Sequence, residues 1–203
     1  MESGRAAVTR IVHLPHSDSE DGDMPQEKTA SATRTATKST TARKPKPPNY
    51  DPFVRHSVTV ATDRETAFKV FLENFPQWWP DNFRTTKVGA PLGVDPKKGG
   101  RLYEIDEQGE EHTFGLIRTV DAPDTLAVGW RLNGFGRIDP DNASEFTVTF
   151  VRDGQKKTRV EVEHTHFDRM GTKHAKRVRN GMDKGWPTIL ASFEKRIKEV
   201  TAT

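Results

Sequence analysis

Residues 186–200, WPTILASFEKRIKEV, decide the fold of this 203-residue chain. Large apolar side chains recur here at spacings of four, three, four and three residues, at Trp186, Leu190, Phe193, Ile197 and Val200. This spacing places them on one face of an α-helix, so the stretch predicts an amphipathic helix packed against a core. Pro187 fits the first turn of such a helix, where its missing N–H is not needed. We therefore expect the last helix to begin near Trp186.

Upstream of this helix, the chain predicts an antiparallel sheet with one short helix near its start. A strand over residues 54–61 precedes a helix over 65–75, for which Thr62 or Asp63 is the expected N-cap. Further strands are predicted over residues 84–90, 101–106, 112–120, 126–132, 145–152 and 158–166, with glycine and proline turns between them. The last three strands alternate apolar and polar residues, which is typical of a sheet with one buried face.

Composition divides the chain into a tail and a single domain. Residues 1–49 combine an acidic segment with a run rich in threonine, alanine and lysine. They contain too few large apolar residues to offset the entropy lost on ordering, so we predict a disordered, low-complexity tail. Residues 50–203 have an ordinary globular composition and are predicted to form one folded domain.

Several classes of protein are excluded or disfavoured by the composition. The chain contains no cysteine, which excludes disulfides and cysteine-ligated metal sites. No apolar run reaches membrane-spanning length and no secretory signal is recognisable, so we expect a cytoplasmic protein without a membrane partner. The net charge of +3 is too small to predict nucleic-acid binding. No phosphate-binding glycine loop or serine-nucleophile motif occurs, and no cofactor is predicted.

Residues 169–184 form a basic segment in which Asp183 is the sole acidic residue. Such a segment can dock an acidic partner or RNA. The alternative is a solvated loop and helix face beside the mouth of a cavity, which is the commoner role of a run of charges. We favour the alternative because no aromatic residues interleave the basic ones, as base stacking would require.

Seven motifs occur along the chain in an order typical of one superfamily. They are AFKVF (67–71), WWP (78–80), GGRLYE (99–104), GLI (115–117) before AP (122–123), VGW (128–130), TRVEVEH (158–164) before Phe167, and GW (185–186). With these motifs, residues 54–198 resemble the START-like superfamily, also called SRPBCC. Within it they resemble the branch similar to the activator of the 90-kDa heat-shock chaperone's ATPase.

The resemblance implies an α+β helix-grip fold. In this fold a curved antiparallel sheet of about seven strands wraps around a long C-terminal helix and leaves a cavity between them. Members of the superfamily variously bind lipids, hormones or polyketides, and some catalyse cyclisation or ring hydroxylation. The fold alone therefore does not identify the function.

Side chains expected to face the interior predict a ligand-binding cavity between sheet and helix. Aromatic rings offer large apolar contact areas, and a few polar groups orient a bound molecule. The alternative is that the same side chains simply fill the core. The predicted ligand-binding residues are Trp78, Trp79, Tyr103, Glu104, Trp130, Phe146, Phe150, Val162, His164, Trp186 and Leu190.

Glu104 and His164 are the candidate catalytic groups. By resemblance Glu104 faces inward, where a carboxylate can act as an acid or base, and the alternative is an exposed strand carboxylate. His164 and His166 share the inward parity of their strand, and such a pair can bind a metal. Glu163 has the opposite parity and no third ligand is evident, so we predict no metal. A hydrogen bond inside the cavity or a satisfied core position is the favoured role of His164.

Three functions follow from these patterns. We favour binding of a small apolar or amphipathic molecule, without catalysis, between the sheet and the C-terminal helix. The resemblance also implies a heat-shock chaperone accessory, although the chaperone-binding domain of that family is replaced here by the tail. The third function is a cyclase-like or isomerase-like enzyme that uses Glu104 and His164.

Overall fold

A computed structural model of the chain describes residues 51–133 and 137–202. The predicted tail, residues 1–49, lies outside them. The β-strands are β1 (Val54–Val60), β2 (Leu92–Val94), β3 (Arg101–Ile105), β4 (Glu111–Asp121), β5 (Thr125–Trp130), β6 (Ser144–Arg152) and β7 (Thr158–Thr165). The α-helices are α1 (Arg64–Glu73), α2 (Phe75–Trp78) and α3 (Thr172–Thr201), and short 3-10 helices span Asp81–Phe83, Pro140–Asn142 and Phe167–Met170.

The seven strands form one sheet in the order β1-β7-β6-β5-β4-β3-β2. Every neighbouring pair is antiparallel. Two shifts of register, at Leu102/Tyr103 and at Ile117/Thr119, interrupt the pairing of β4 with its neighbours. Such bulges bend a strand and increase its twist, which helps the sheet to curve. The predicted α+β helix-grip fold is confirmed.

Helix α1 begins where the sequence predicts. The Asp63 side chain is the N-cap, because its Oδ1 accepts a hydrogen bond from the backbone N–H of Thr66 at 2.8 Å. The helix buries Ala67, Phe68 and Phe71 against the sheet. The buried face of α1 therefore forms part of the hydrophobic core.

Helix α3 begins much earlier than predicted, at Thr172 instead of near Trp186. The prediction was wrong because Pro187 was assigned to a first turn, whereas it lies inside the helix at an exposed position. The apolar stripe extends backwards through Met182, Val178 and the buried Ala175 at helical spacing. The basic segment therefore belongs almost entirely to α3.

The strand predicted over residues 84–90 is absent from the described structure, and the edge strand is β2 instead. The Thr85 and Thr86 N–H groups donate to the side chain of Glu104 and so cannot pair with a strand. A turn follows, in which Ala90 N–H donates to the carbonyl of Lys87 at 3.0 Å. The Glu104 side chain on β3 thus accepts the hydrogen bonds that these N–H groups would otherwise donate to a neighbouring strand.

Strand β7 ends at Thr165, one residue earlier than predicted. His166 has a φ of 62°, in the left-handed region, and its side chain is exposed. The expectation that His164 and His166 both face inward was therefore wrong for His166. Only His164 remains available to the interior.

The core lies between the inner face of the sheet and α3. Apolar side chains from both sides meet there, each no more than 2% exposed. They include Val128, Phe146, Val148, Phe150, Val160 and Val162 from the strands and Trp186, Ile189, Leu190, Phe193 and Ile197 from the helix. No helix within residues 51–133 and 137–202 combines the length and apolar character needed to cross a membrane.

Candidate functional site

Aromatic rings from four elements meet inside the fold, and we call this cluster the aromatic interior. Phe146 on β6 lies 5.8 Å from Trp130 on β5 and 5.1 Å from Trp186 on α3, measured between ring centroids. Trp130 also lies 5.5 Å from Trp79, which follows α2, and Trp79 lies 5.0 Å from Phe75. These separations fall in the range that favours tilted and edge-to-face ring contacts.

The structure brings most of the predicted ligand-binding residues together. Two of them differ from the prediction, one in position and one in role. Eight of them pack in the interior with at most 4% of their surface exposed: Trp78, Trp79, Trp130, Phe146, Phe150, Val162, Trp186 and Leu190. Glu104 and His164 are fully buried on the same face of the sheet. One exception is Tyr103, which the structure places elsewhere, and the other is the role of Glu104, described below.

Tyr103 lies outside the aromatic interior. Its ring packs over Gly93 of β2, where an added Cβ would overlap it, and the Arg101 guanidinium carbon lies 4.7 Å from the ring centroid. Tyr103 has the opposite parity to the inward-facing Leu102 and Glu104. Its inclusion in the cavity wall was wrong because side chains alternate along a strand.

The interior is closed. The cavity between the sheet and α2 has a volume of about 10 Å³, with walls that include Phe71, Phe75, Trp78, Val128 and Phe146. This space holds about one water molecule. The ligand-sized cavity implied by the resemblance is therefore filled by side chains in this structure.

The side of the interior that α3 leaves open is covered by residues 75–86, which we call the cover segment. Trp78 Nε1–H donates to the carbonyl of Phe71 at 3.0 Å. The Ser192 hydroxyl on α3 donates to the carbonyl of Trp78 at 2.6 Å. These two bonds fix the start of the cover segment against both neighbouring helices.

The middle of the cover segment contacts α3 at a glycine. A Cβ added to Gly185 would lie 2.8 Å from Cε1 of Phe83, closer than real side chains approach. The Phe83 ring also lies 6.2 Å from Trp79, whose Nε1–H donates to the Phe83 carbonyl at 3.4 Å. Glycine at position 185 therefore allows the cover segment to pack directly against the helix backbone.

Glu104 fixes the end of the cover segment. Its carboxylate accepts hydrogen bonds of 2.8–2.9 Å from the backbone N–H groups and hydroxyls of Thr85 and Thr86. These charge-assisted bonds offset the cost of burying the carboxylate. Glu104 faces inward as predicted, but both of its oxygens are engaged by one loop. Its contacts hold the end of the cover segment in place.

His164 is the second buried ionisable group. The Trp186 indole N–H donates to Nδ1 of His164 at 3.2 Å, and Ser144 Oγ lies 2.8 Å from Nε2. Since an indole nitrogen can only donate, we assign the ring proton to Nε2, which donates to Ser144. Burial lowers the pKa of His164 to about 3, so the ring is neutral at physiological pH. Both nitrogens are satisfied, which agrees with the favoured role of His164.

This tautomer determines whether His164 can activate Ser144 as a nucleophile. A general base must accept the serine proton, and Nε2 of His164 carries a proton of its own. The pair is therefore not arranged as a nucleophile and its base. In the part of the chain that the structure describes, no cluster of three or more His, Cys, Asp or Glu residues is placed to hold a metal.

Sequence reasoning missed several residues of the interior. Phe114 is buried against Trp130, with ring centroids 5.3 Å apart. It lies at the bulge where Leu102 pairs with Gly115 and Tyr103 pairs with Thr113, so the simple alternation of β4 conceals it. Ser144 was missed because its role depends on His164, twenty residues away. The indole of Trp186 carried a usable signal, since a buried N–H requires an acceptor.

The family comparison agrees with this architecture. The family model described as "Activator of Hsp90 ATPase homolog 1-like protein" matches residues 61–198. Among curated proteins no sequence matches the chain.

Solved structures include two with substantial sequence identity. CalC from Micromonospora echinospora, described as a self-sacrificing resistance protein, is 86% identical, with a TM-score of 0.59 over 74% of this chain and 97% of that chain. Txn09, described as an anthrahydroquino-γ-pyrone synthase, is 38% identical, with a TM-score of 0.52 over 71% and 96% of the two chains.

A more distant structure shares the fold alone. MLL2253 from Mesorhizobium loti is 17% identical, with a TM-score of 0.52 over 72% of this chain and 97% of that chain. The family match, the sheet order and the helix packed on its inner face all agree. The chain belongs to the Activator of Hsp90 ATPase homolog 1-like family, within the START-like (SRPBCC) superfamily of ligand-binding folds.

Proposed function

We propose that this chain is a self-sacrificing resistance protein, which binds a small toxic molecule and is itself consumed in neutralising it. The observation that carries the proposal is the 86% identity to CalC over 97% of that chain. At this identity the interior side chains of two proteins are expected to be largely the same, and with them the chemistry of the site.

The aromatic interior supports an apolar or amphipathic ligand that contains rings. Each 100 Å² of apolar surface removed from water contributes about 2.5 kcal/mol. Buried tryptophans such as Trp130 and Trp186 offer flat apolar faces, while the His164 and Ser144 pair is a polar group among them. The ligand we propose is therefore a small ring-containing molecule of low polarity.

Binding inside the fold requires a rearrangement, because the interior cavity measures only about 10 Å³. The cover segment is the element whose displacement would make room, since Phe75, Trp78 and Trp79 all belong to it and line the cavity. We propose that the ligand replaces part of this aromatic packing. The bound protein would then keep the sheet and α3 and differ mainly in residues 75–86.

An enzymatic function is the second candidate, because the 38% identical Txn09 is described as a synthase. The residues predicted for catalysis do not support it, since Glu104 is engaged by Thr85 and Thr86 and His164 by Ser144 and Trp186. A self-sacrificing protein neutralises one toxin molecule per chain, whereas an enzyme turns over many. Stoichiometry therefore separates the two functions.

A chaperone accessory is the function named in the family's description. It would be favoured if the purified chain bound a 90-kDa heat-shock chaperone and stimulated its ATPase. No contact in the described residues favours this function over ligand binding.

Growth protection tests the proposed function. Bacteria expressing the chain would be challenged with fractions of an organic extract of a Micromonospora echinospora culture, beside cells with empty vector and cells expressing the exposed-site variant Lys195→Ala. We expect protection in one fraction by the wild type and Lys195→Ala alike, together with loss of intact protein from those cells. Equal killing of all three strains by every toxic fraction would contradict the proposal.

A further inference from the structure

Arg84, in the cover segment, has an unusual environment. Its side chain is only 7% exposed. A guanidinium has five N–H donors. Nη2 donates to Oδ1 of Asp81 at 3.1 Å, whereas Nε and Nη1 are fully buried and have no hydrogen-bond partner among the described residues. Asp81 is also the one carboxylate within ion-pair distance of Arg84 in that part of the chain.

Other arginines do not share this environment. Arg64, Arg131 and Arg196 each have a buried Nε without a partner, but their terminal nitrogens are not in that state. Arg84 is the described arginine in which a terminal nitrogen is also buried and unpaired. Such groups are rare because a buried, charged donor without an acceptor costs free energy.

The position of Arg84 explains why no second carboxylate pairs with its Nε and Nη1. Phe83, on one side, packs on Gly185 of α3, and Thr85, on the other, is bonded to Glu104. The backbone of Arg84 is thereby held next to the aromatic interior. The one buried carboxylate nearby, that of Glu104, already accepts hydrogen bonds from Thr85 and Thr86 on both oxygens.

We propose that Arg84 binds an oxyanion, a carboxylate or sulfate group on a ligand, and that Asp81 occupies its place until the ligand arrives. Asp81 is suited to displacement because it is 66% exposed and makes a single bond to the guanidinium. A guanidinium can instead hold an oxyanion through two parallel bonds, which are stronger and more directional. This inference goes beyond the proposed function and holds whether or not the protein is consumed.

The test uses inorganic sulfate and therefore needs no knowledge of the natural ligand. The Nε–H signal of Arg84 in the full-length protein, labelled with ¹⁵N-arginine, is assigned by its loss in Arg84→Gln. Sodium sulfate is then titrated against sodium chloride at equal ionic strength. We expect a saturable shift of the Arg84 signal with sulfate only. Asp81→Asn, which removes the competing carboxylate, should tighten sulfate binding about two- to fivefold.

Arg196 is the matched control, since its Nε is also buried without a partner but its Nη1 pairs with Glu199. Its signal should not saturate. A saturable Arg84 shift in the wild type, or in Asp81→Asn alone, supports the proposal. A shift that is absent, or linear and equal to that of Arg196 in both proteins, overturns it. Arg84→Gln serves only to assign the signal, and Arg84→Lys, which also removes the guanidinium but keeps the charge, provides the same assignment if Arg84→Gln does not fold. The result is separate from the toxin assay.

Discussion

The two halves of the inner face of the sheet are covered by different elements. On one half, α3 contributes a continuous stripe of buried side chains, from Ala175 through Trp186 to Ile197. On the other, the cover segment buries three rings at its start, Phe75, Trp78 and Trp79, and its remainder is held by a few specific contacts, chiefly Glu104 with its threonines and Phe83 on Gly185. The first half is stabilised by distributed burial, and the end of the cover segment by single contacts. Substitutions should therefore unfold the protein in the first case and loosen one segment in the second.

The largest effect is expected on the helix-covered half. Trp186→Ala removes a fully buried ring that contacts Phe146 and donates to His164. Loss of burial and creation of a cavity should lower the free energy of unfolding by about 3–5 kcal/mol. Denaturant unfolding measures this, with the exposed Lys195→Ala as control. A loss of less than about 1 kcal/mol would show that this half is not stabilised by the burial described.

The next largest effect is expected in the cover segment, where a substitution should loosen one segment without unfolding the sheet. Glu104→Gln removes the charge and presents an amide N–H₂ group to donors from Thr85 and Thr86, so the free energy of unfolding should fall by about 2–3 kcal/mol. Hydrogen exchange at the Thr85 and Thr86 amides should accelerate more than exchange in the strands. Glu110→Gln, at an exposed turn, is the control. Equal acceleration across the whole sheet would contradict the anchoring role of Glu104.

Two glycines of α3 provide a matched pair. Gly185→Ala introduces a Cβ 2.8 Å from the Phe83 ring, whereas Gly181→Ala meets no atom within 4 Å. Overpacking should cost Gly185→Ala about 1–2 kcal/mol of unfolding free energy, while Gly181→Ala gains up to about 1 kcal/mol from its helix propensity. Thermal or denaturant unfolding of both variants measures the difference. Stabilisation by both substitutions would mean that Phe83 is not seated on the helix.

The last effect depends on pH and on the buried histidine, and it is the smallest when counted per pH unit near pH 6.5. A histidine in an unfolded chain has a pKa near 6.5, whereas burial lowers the pKa of His164 to about 3. Between these values the unfolded chain takes up a proton that the folded chain does not. The contribution of His164 to stability should therefore be constant above about pH 6.5 and fall by up to about 1.4 kcal/mol per pH unit as the pH drops towards 4.

His164→Asn removes this proton uptake and keeps an acceptor for the Trp186 N–H. The stability of this variant should depend less on pH between 6.5 and 4.5, although its absolute stability is lower. His166→Asn, two residues away and exposed, should retain the wild-type slope. Denaturant unfolding at several pH values measures both. An unchanged slope in His164→Asn would refute the neutral, buried state of His164.

The difference between the helix-covered half and the cover segment also explains which features the sequence could predict. The stripe of α3, the Asp63 N-cap and the alternating strands β6 and β7 follow from periodicity and local chemistry, and the structure confirms them. Strand β5 forms as predicted, but its residues 126–130 are all buried, so the expected one-sided burial was wrong there. Each of these features is determined by neighbours within a few residues along the chain. The resemblance to the START-like superfamily then supplied the way in which the elements pack.

The cover segment could not be predicted, because its conformation depends on distant residues. Thr85 and Thr86 favour a strand locally, but Glu104 on another element takes their N–H groups. The start of α3 was misplaced because a proline is commonest in the first turn of a helix, and here the buried stripe on either side of Pro187 outweighs that preference. The closed state of the interior likewise depends on how all the rings pack together, which no single motif encodes.

The measurement that tests the central claim most directly is the number of toxin molecules neutralised per protein chain. The purified chain would be titrated with the active fraction from the growth assay, and surviving toxin and intact protein mass would be followed together. We predict that neutralisation stops at one equivalent and that intact protein disappears in proportion. Neutralisation of many equivalents by protein of unchanged mass would contradict self-sacrifice and identify an enzyme.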